Sequence, residues 1–208
     1  DPIKLAMNCD ILEESIKYLK ERKTNGMANN KTDGTGIHLT ANIGMNRPYL
    51  WLPEISEKFT SENPHLLKGG YFDYTKTKVQ EYALKIIYEI IDEYDIDGMF
   101  FDYMRSYNNQ SVESIIYTIR MTKERLKQKE TLIQSKNVGK KLELRVRIPA
   151  DQIVFYKAMK VCIENEYIDG IVPSNIVTSE PLPPVRHYLE LAKGTKTKVY
   201  GCIDGWKH

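Results

Sequence analysis

The sequence predicts an α/β fold built on a parallel β-sheet. Segments with strand character alternate with helical segments along the 208-residue chain, and parallel neighbours require such crossover connections. Two of the predicted strands also share one pattern, an Asp-Gly pair followed by an apolar run and then polar residues, at 97–105 and 169–175. Continuous apolar runs of this kind are typical of parallel strands that are covered on both faces.

Five strands and the helices between them follow from local patterns. The predicted strands cover residues 36–43, 98–101, 142–149, 170–172 and 198–203. The predicted helices cover residues 10–23, 75–91, 111–119, 151–166 and 185–192. Asp10 and Glu13 form a capping box at the start of the first helix, and Ser111 caps the third. Residues 50–73 show no period, which is typical of a loop on the ligand side of a sheet.

The spacing of apolar residues supports the helix at 75–91 and the strand at 142–149. The helix at 75–91 has apolar residues at i, i+3 and i+4 over four turns, the clearest helical pattern in the chain. In the strand at 142–149 the residues alternate strictly. Leu144, Val146 and Ile148 face one way, while Glu143, Arg145 and Arg147 face the other. If the charged face is the inside of a barrel, Glu143 and Asp102 are the nearest acidic partners for the two arginines.

Composition and charge narrow the range of partners and cofactors. The net charge is only +2, and the basic run at 123–141 alternates with Glu and Gln, so we expect a solvated helix face and no nucleic-acid partner. No apolar segment is long enough to span a bilayer, so no membrane partner is expected. The three cysteines and four histidines lack metal-ligand spacing. We expect no metal and no cofactor, and the compartment stays open, with periplasmic or secreted locations included.

Five βα units fit either a doubly wound sheet or part of an eight-stranded barrel. A doubly wound sheet that binds nucleotides carries a Gly-rich phosphate loop, and none is present. A complete barrel takes about 250 residues, so we expect residues 1–208 to form one partial barrel domain that lacks two strands at its start and one at its end. The open sheet edges would then be covered by a missing segment or by an oligomeric partner.

An ordered set of short motifs carries a family resemblance. The motifs are Gly36-Ile37-His38-Leu39, Met45-Asn46, Glu62-Asn63-Pro64, Phe72-Asp73-Tyr74, the stretch 97–105, Arg147-Ile148-Pro149, Asp169-Gly170 and Pro173-Ser174. In this order they resemble the bacterial glycoside-hydrolase-like TIM-barrel proteins, which are related to α-amylase-type barrels. The resemblance implies a (β/α)8 barrel of which this chain holds the third to seventh strands, and a carbohydrate substrate.

The same resemblance places Asp102 at the end of the fourth barrel strand, the position of the nucleophile in amylase-like barrels. The sequence departs from the amylase-like pattern at two places. Phe100 occupies the position where those barrels have an Arg, and the fifth strand ends in Arg147 and Pro149 where they have the acid Glu.

Glycoside hydrolysis requires two carboxyl groups, one acting as acid and the other as nucleophile or base. Asp102 is the first candidate for the ionised group, because Arg105 or Arg147 nearby would favour its charged form. The alternative is a structural ion pair. Three carboxylates that follow strand ends are candidates for the partner, Asp151, Glu180 and Asp204. Asp151 is better explained as a helix cap. Asp204 ranks ahead of Glu180 because it follows the last strand directly and precedes Trp206, whose ring can stack on a sugar.

Polar and aromatic residues at the strand ends are candidates for sugar binding. They are Asn46, Arg47, Tyr103, Arg105, Arg147, Asn175 and Trp206. Two hypotheses follow. The chain is either a glycoside-hydrolase-like enzyme acting on a poly- or oligosaccharide, or a non-catalytic carbohydrate-binding or scaffold barrel without a competent pair of carboxyl groups. The missing Glu after the fifth strand keeps the second hypothesis open.

Overall fold

The computed structural model describes residues 10–29, 38–45, 58–104, 109–133, 140–175 and 185–202. The helices are α1 (Ile11–Asn29), α2 (Lys58–Glu62), α3 (Thr77–Glu93), α4 (Val112–Ile133), α5 (Ile153–Glu164) and α6 (Val185–Ala192). The strands are β1 (Thr40–Gly44), β2 (Leu67–Lys68), β3 (Tyr71–Phe72), β4 (Gly98–Asp102), β5 (Glu143–Pro149), β6 (Gly170–Ser174) and β7 (Lys198–Val199). Across these ranges, no helix combines the length and the apolar character needed to cross a membrane.

Five strands form one parallel sheet in the order β1-β4-β5-β6-β7, as the alternating pattern predicts. Strands β2 and β3 form a separate antiparallel pair. The order in the large sheet follows the order along the chain, whereas a doubly wound sheet reverses its order at a switch point. Because crossovers are right-handed, successive helices in such a sheet fall on the same face. The fold is therefore a mixed α/β structure that is compatible with part of an α/β barrel.

The two faces of the sheet differ in polarity. On β5, Leu144, Val146 and Ile148 are fully buried against the helices, while the charged residues of the alternating set are only partly buried. This division of β5 confirms the predicted alternation. The apolar face continues on the neighbouring strands through Ala41, Met99, Phe101 and Ile171.

The helices supply the other half of the core. Their fully buried apolar side chains are Ile87 and Ile91 of α3, Ile115, Ile119 and Leu126 of α4, and Phe155, Ala158, Met159 and Cys162 of α5. Each large apolar side chain buried in this way contributes about 1.5–3 kcal/mol. The apolar layer lies on one side of the sheet, so the charged residues of β5 lie on the other.

The two Asp-Gly pairs make the same hydrogen bonds at the amino end of the sheet. The Asp97 backbone N–H donates to the Leu39 carbonyl at 2.7 Å, and its Oδ2 accepts the Leu39 N–H at 2.9 Å. Asp169 repeats both bonds with Leu144, at 2.8 and 2.9 Å. Each Asp therefore fixes the start of its own strand to the strand beside it, and the sequence repeat is a structural repeat.

The glycine of each pair allows a close approach. A Cβ atom at Gly98 would lie 2.2 Å from the backbone oxygen of Glu143. One at Gly170 would lie 2.7 Å from the ring of Tyr200 and 3.2 Å from Cγ of Arg145. The contacts of 2.2 and 2.7 Å are too short for ordinary packing, so a side chain at either position would displace its neighbours.

The described part of the predicted ligand-side loop, residues 58–73, packs on α3 and near the end of β4. The ring of Phe59 stacks on that of Tyr82 in α3, with centroids 3.8 Å apart. The amide of Asn109, which follows β4, donates to the Lys68 carbonyl at 2.7 Å. The small β2–β3 pair is thereby tied to the connection that leaves the carboxyl end of β4.

The predicted solvated face on α4 is wrong at Lys123. Its side chain is almost fully buried, and its Nζ lies 2.5 Å from Oδ2 of Asp169. The helix therefore uses one lysine of the basic run to pack against the sheet. Of the cysteines, Cys162 and Cys202 are free thiols, while Cys9 lies outside the described residues.

Candidate active site

The carboxyl ends of β4, β5 and β6 bring Asp102, Arg147 and Ser174 together. Asp102 pairs in register with Arg147, and Pro149 pairs with Ser174. Asp102 and Arg147 therefore extend from the same face of neighbouring strands. In α/β sheets this end is where ligands bind, because the loops that leave it carry the functional residues.

Asp102 is held at both carboxylate oxygens. Its Oδ1 accepts the backbone N–H of Met104 at 2.9 Å, and its Oδ2 lies 3.5 Å from Nη1 of Arg147. The bond to Met104 turns the chain at the end of β4 and fixes the carboxylate relative to the backbone. The side chain remains 23% exposed, so solvent or a ligand can reach it.

Arg147 reaches across three strands. Its Nε donates to Oγ of Ser174 at 3.1 Å, Nη1 faces Asp102, and Nη2 lies 3.7 Å from Sγ of Cys202. The side chain is 28% exposed. One polar row thus runs from the end of β4 through β5 and β6 to the residues after β7, and the guanidinium connects its members.

Arg145, two residues earlier on the same face of β5, is held in another way. Its Nε donates to Oε2 of Glu143 at 2.8 Å, and its Nη2 donates to the same oxygen. The guanidinium carbon lies 5.2 Å from the centre of the Tyr200 ring, a cation–π contact. The expected pairing of these arginines with Glu143 and Asp102 is confirmed.

The structure does not bring the Tyr103 ring to this face. The residue is fully buried, with its ring centre 5.2 Å from that of Phe155 in the core. Burial raises the pKa of its phenol well above the ordinary value. Its hydroxyl has no hydrogen-bond partner within the part of the chain that the structure describes. Of the other predicted sugar-binding residues, Asn175 follows directly after Ser174 and is partly exposed.

Several predicted site residues lie outside the described ranges. They are Asn46, Arg47, Arg105, Glu180, Asp204 and Trp206. The expected acid partner of Asp102, whether Asp204 or Glu180, is among them, so its role stays a prediction. Across the described ranges, no three His, Cys, Asp or Glu side chains form a group that could hold a metal ion.

Sequence reasoning did not select Ser174 or Cys202 as site residues. A signal for Ser174 was present, because it stands five residues after Asp169, just as Asp102 stands five residues after Asp97. The Asp-Gly repeat therefore aligns the two residues that Arg147 joins. For Cys202 we find no comparable signal in the sequence.

Comparisons with known proteins add little to this geometry. No protein-family model matches the chain, and no curated protein matches it. Among solved structures, a noncanonic maltogenic α-amylase from Thermotoga neapolitana is similar, with 12% sequence identity and a TM-score of 0.39. The match covers 74% of this chain but only 31% of that chain.

Proposed function

We propose that this chain is a glycoside-hydrolase-like protein that acts on a poly- or oligosaccharide, with Asp102 as its ionised catalytic carboxylate. The observation that carries the proposal is the Asp102–Arg147 pair at the carboxyl end of a parallel sheet. The carboxylate is partly exposed, and the guanidinium lies 3.5 Å away. A carboxylate that is accessible at this end of a sheet, with a hydrogen-bond donor beside it, can serve as the nucleophile or base of glycoside hydrolysis.

The proposal includes a barrel of which the five parallel strands form an arc. Sequential strand order supports it, as does the separation of an apolar, helix-covered face from a charged face. In a barrel the charged face would line the interior. Asn46, Arg47, Arg105, Asn175 and Trp206 would then bind sugar hydroxyls or stack on sugar rings near Asp102.

A second carboxyl group completes the chemistry. Asp204 is our first candidate and Glu180 the second. Support for Asp204 comes from Cys202, whose Sγ lies 3.7 Å from the guanidinium that contacts Asp102. Asp204 is only two residues further along the chain. The separation of the two carboxyl groups would decide the stereochemistry, about 5 Å for retention and about 6.5–9.5 Å for inversion.

A non-catalytic carbohydrate-binding or scaffold barrel is the alternative. One observation favours it: β5 ends in Arg147 and Pro149, where amylase-like barrels place the acid. Among the described residues, Asp102 is also the one carboxylate in contact with Arg147. Such a protein would bind glycans and leave their bonds intact.

Substitution Asp102→Asn tests the catalytic proposal. The full chain is assayed on a panel of polysaccharides and 4-nitrophenyl α- and β-glycosides for release of reducing ends or nitrophenol. We expect Asp102→Asn to lower kcat by on the order of a thousandfold or more, because an amide can replace the carboxylate neither as nucleophile nor as base. Glu164→Gln, at an exposed carboxylate at the end of α5 and away from the carboxyl ends of the strands, serves as control and should retain full activity.

The same panel separates the two hypotheses. Hydrolysis by the wild type that Asp102→Asn abolishes supports the enzyme. Equal rates for the two proteins would reject Asp102 as the catalytic carboxylate. Binding of a polysaccharide without release of reducing ends, measured by affinity electrophoresis, would favour the non-catalytic barrel.

A further inference from the structure

We infer that Ser174 is a positioning residue that fixes the Arg147 guanidinium beside Asp102. The inference rests on the proposed function, because it assigns Ser174 a part in the activity of Asp102. Ser174 is only 1% exposed. Its hydroxyl is therefore out of reach of a substrate, and the side chain through which it would act on the reaction is Arg147, which it contacts.

The contact distances around Arg147 carry the inference. Within the described part of the chain, its polar contacts are to Ser174 at 3.1 Å, Asp102 at 3.5 Å and Cys202 at 3.7 Å. Ordinary N–H···O hydrogen bonds fall between 2.7 and 3.2 Å. The bond to Ser174 is thus the one of normal length. It fixes the guanidinium with Nη1 directed toward Asp102.

Ser174 is itself held in place. Its carbonyl accepts the Ala150 N–H at 2.9 Å, and its hydroxyl lies 3.4 Å from the Val172 carbonyl. Because the nitrogens of a guanidinium only donate, Oγ is the acceptor in its bond with the Arg147 Nε–H. The hydroxyl therefore acts as a fixed acceptor on the strand next to Arg147.

Arg145 shows what the alternative arrangement looks like. Two of its nitrogens bond to Glu143, and its guanidinium lies over Tyr200. That guanidinium is fixed without a hydroxyl. Arg147 lacks a ring beneath it among the described residues and its carboxylate contact is long, so it depends on Ser174 for its orientation.

Kinetics of Ser174→Ala form the first test, on whichever 4-nitrophenyl glycoside the wild type hydrolyses. We expect kcat to fall about tenfold, since a hydrogen bond to a charged group is lost. KM should change less than kcat, because Ser174 acts on Asp102 through Arg147 and does not touch substrate. Thr122→Val is the matched control. It removes another buried hydroxyl, one that bonds to the Thr118 carbonyl within α4, and should leave kcat unchanged.

Coupling to Arg147 forms the second test. Arg147→Lys removes the Nε donor, so Ser174→Ala should cause no further loss of kcat in that background. A merely structural role for Ser174 predicts additive losses. Additive losses, or an unchanged kcat in the single variant, would overturn the inference.

An NMR measurement tests the contact without any substrate. The Nε–H resonance of Arg147, assigned by its absence in Arg147→Lys, should exchange with solvent at least about tenfold faster in Ser174→Ala than in the wild type. Equal exchange rates would overturn the inference even if hydrolysis is found. If the wild type hydrolyses nothing while Ser174→Ala still accelerates exchange, the proposed function fails, and the structural contact between Ser174 and Arg147 stands.

Discussion

Arg145 and Arg147 differ in how much of their charge is already neutralised. Arg145 has a close carboxylate and an aromatic ring, whereas Arg147 shares its charge with Asp102 across 3.5 Å. Planar guanidinium groups bind carboxylates strongly only when the contact is close and paired. Arg145 is therefore a structural residue of the charged face, and Arg147 keeps donor capacity at its exposed edge.

Gly98→Ala should destabilise the protein. The new Cβ would lie 2.2 Å from the Glu143 oxygen and 2.9 Å from its nitrogen, and both are backbone atoms that cannot rotate away. We expect a loss of about 1–3 kcal/mol or more in the free energy of unfolding, measured by urea denaturation.

Gly201→Ala is the control for that substitution. A Cβ at Gly201 meets no atom within 4 Å, and removing glycine from a compatible position stabilises a protein by about 0.4–1 kcal/mol. Equal urea midpoints for the two variants would contradict the close approach of β4 and β5.

Asp169 joins α4, β5 and β6 through one carboxylate. It accepts bonds from Lys123, Lys141 and the Leu144 N–H, at 2.5, 2.7 and 2.9 Å. The Lys123 side chain is 6% exposed, so removing the carboxylate leaves a buried ammonium without a counter-charge. We expect Asp169→Asn to lower the free energy of unfolding by about 3 kcal/mol, measured by chemical denaturation.

Two further variants make the Asp169 prediction specific. Adding Lys123→Met to Asp169→Asn removes the stranded charge and should restore part of the stability. Glu62→Gln disrupts an exposed pair with Lys58 and should cost less than about 1 kcal/mol. If the double variant is less stable than Asp169→Asn alone, the buried-charge explanation is wrong.

The carboxylates at the amino end of the sheet predict a loss of stability in acid. Burial alone would raise the pKa of Asp95, but bonds from Lys140 and Lys20 outweigh it and lower the pKa from 3.8 to about 2. Burial would likewise raise the pKa of Asp169, but the bonds from Lys123 and Lys141 outweigh burial and lower this pKa. When the pKa of a carboxyl group is lower in the folded protein than in the unfolded one, the group stabilises the fold at pH values above its unfolded pKa. This stabilisation is lost as the pH falls through the folded pKa.

Thermal unfolding followed between about pH 6 and pH 2 checks this prediction. The midpoint should hold nearly constant down to about pH 4 and then fall. Asp169→Asn should show a shallower fall, because one of the linked carboxylates is absent. A wild-type midpoint that rises on acidification would contradict the assigned direction.

At the scale of the whole molecule, stability should decrease from the centre of the sheet to its edge. Strand β5 lies between β4 and β6 and has four fully or almost fully buried residues, whereas β7 contributes two residues, neither of them buried. Backbone amide hydrogens in well-packed central strands exchange with solvent only when a larger part of the structure opens. We expect hydrogen exchange followed by mass spectrometry to show slower exchange in β5 than in β7. Equal rates would indicate that the sheet opens as one unit.

Patterns within a few residues predicted most of this architecture. The Asp10 cap is present, with the Glu13 N–H donating to its Oδ1 at 3.0 Å, and Ser111 accepts the Ser114 N–H at 3.1 Å. The alternation in β5 assigned both of its faces. The predicted end of α1 at residue 23 was short, since the helix extends to Asn29.

Contacts between distant parts of the chain were harder to predict. Arg147 was a reasonable partner for Asp102, because the two residues lie at the ends of adjacent parallel strands. The Lys123–Asp169 pair spans 46 positions and the Arg147–Ser174 bond spans 27. Such pairs depend on how helices and strands pack, which hydrophobic periodicity does not specify.

The close approach at Gly98 has a consequence for the alignment of the sheet. A shift of β4 by two residues along β5 would leave every side chain on its original face, so alternation alone cannot prevent it. After such a shift, a residue with a Cβ would meet the Glu143 backbone in place of Gly98. The shift would also pair Asp102 with a residue other than Arg147. A glycine at the amino end of the sheet thus helps to select which side chain stands beside the carboxylate at the opposite end.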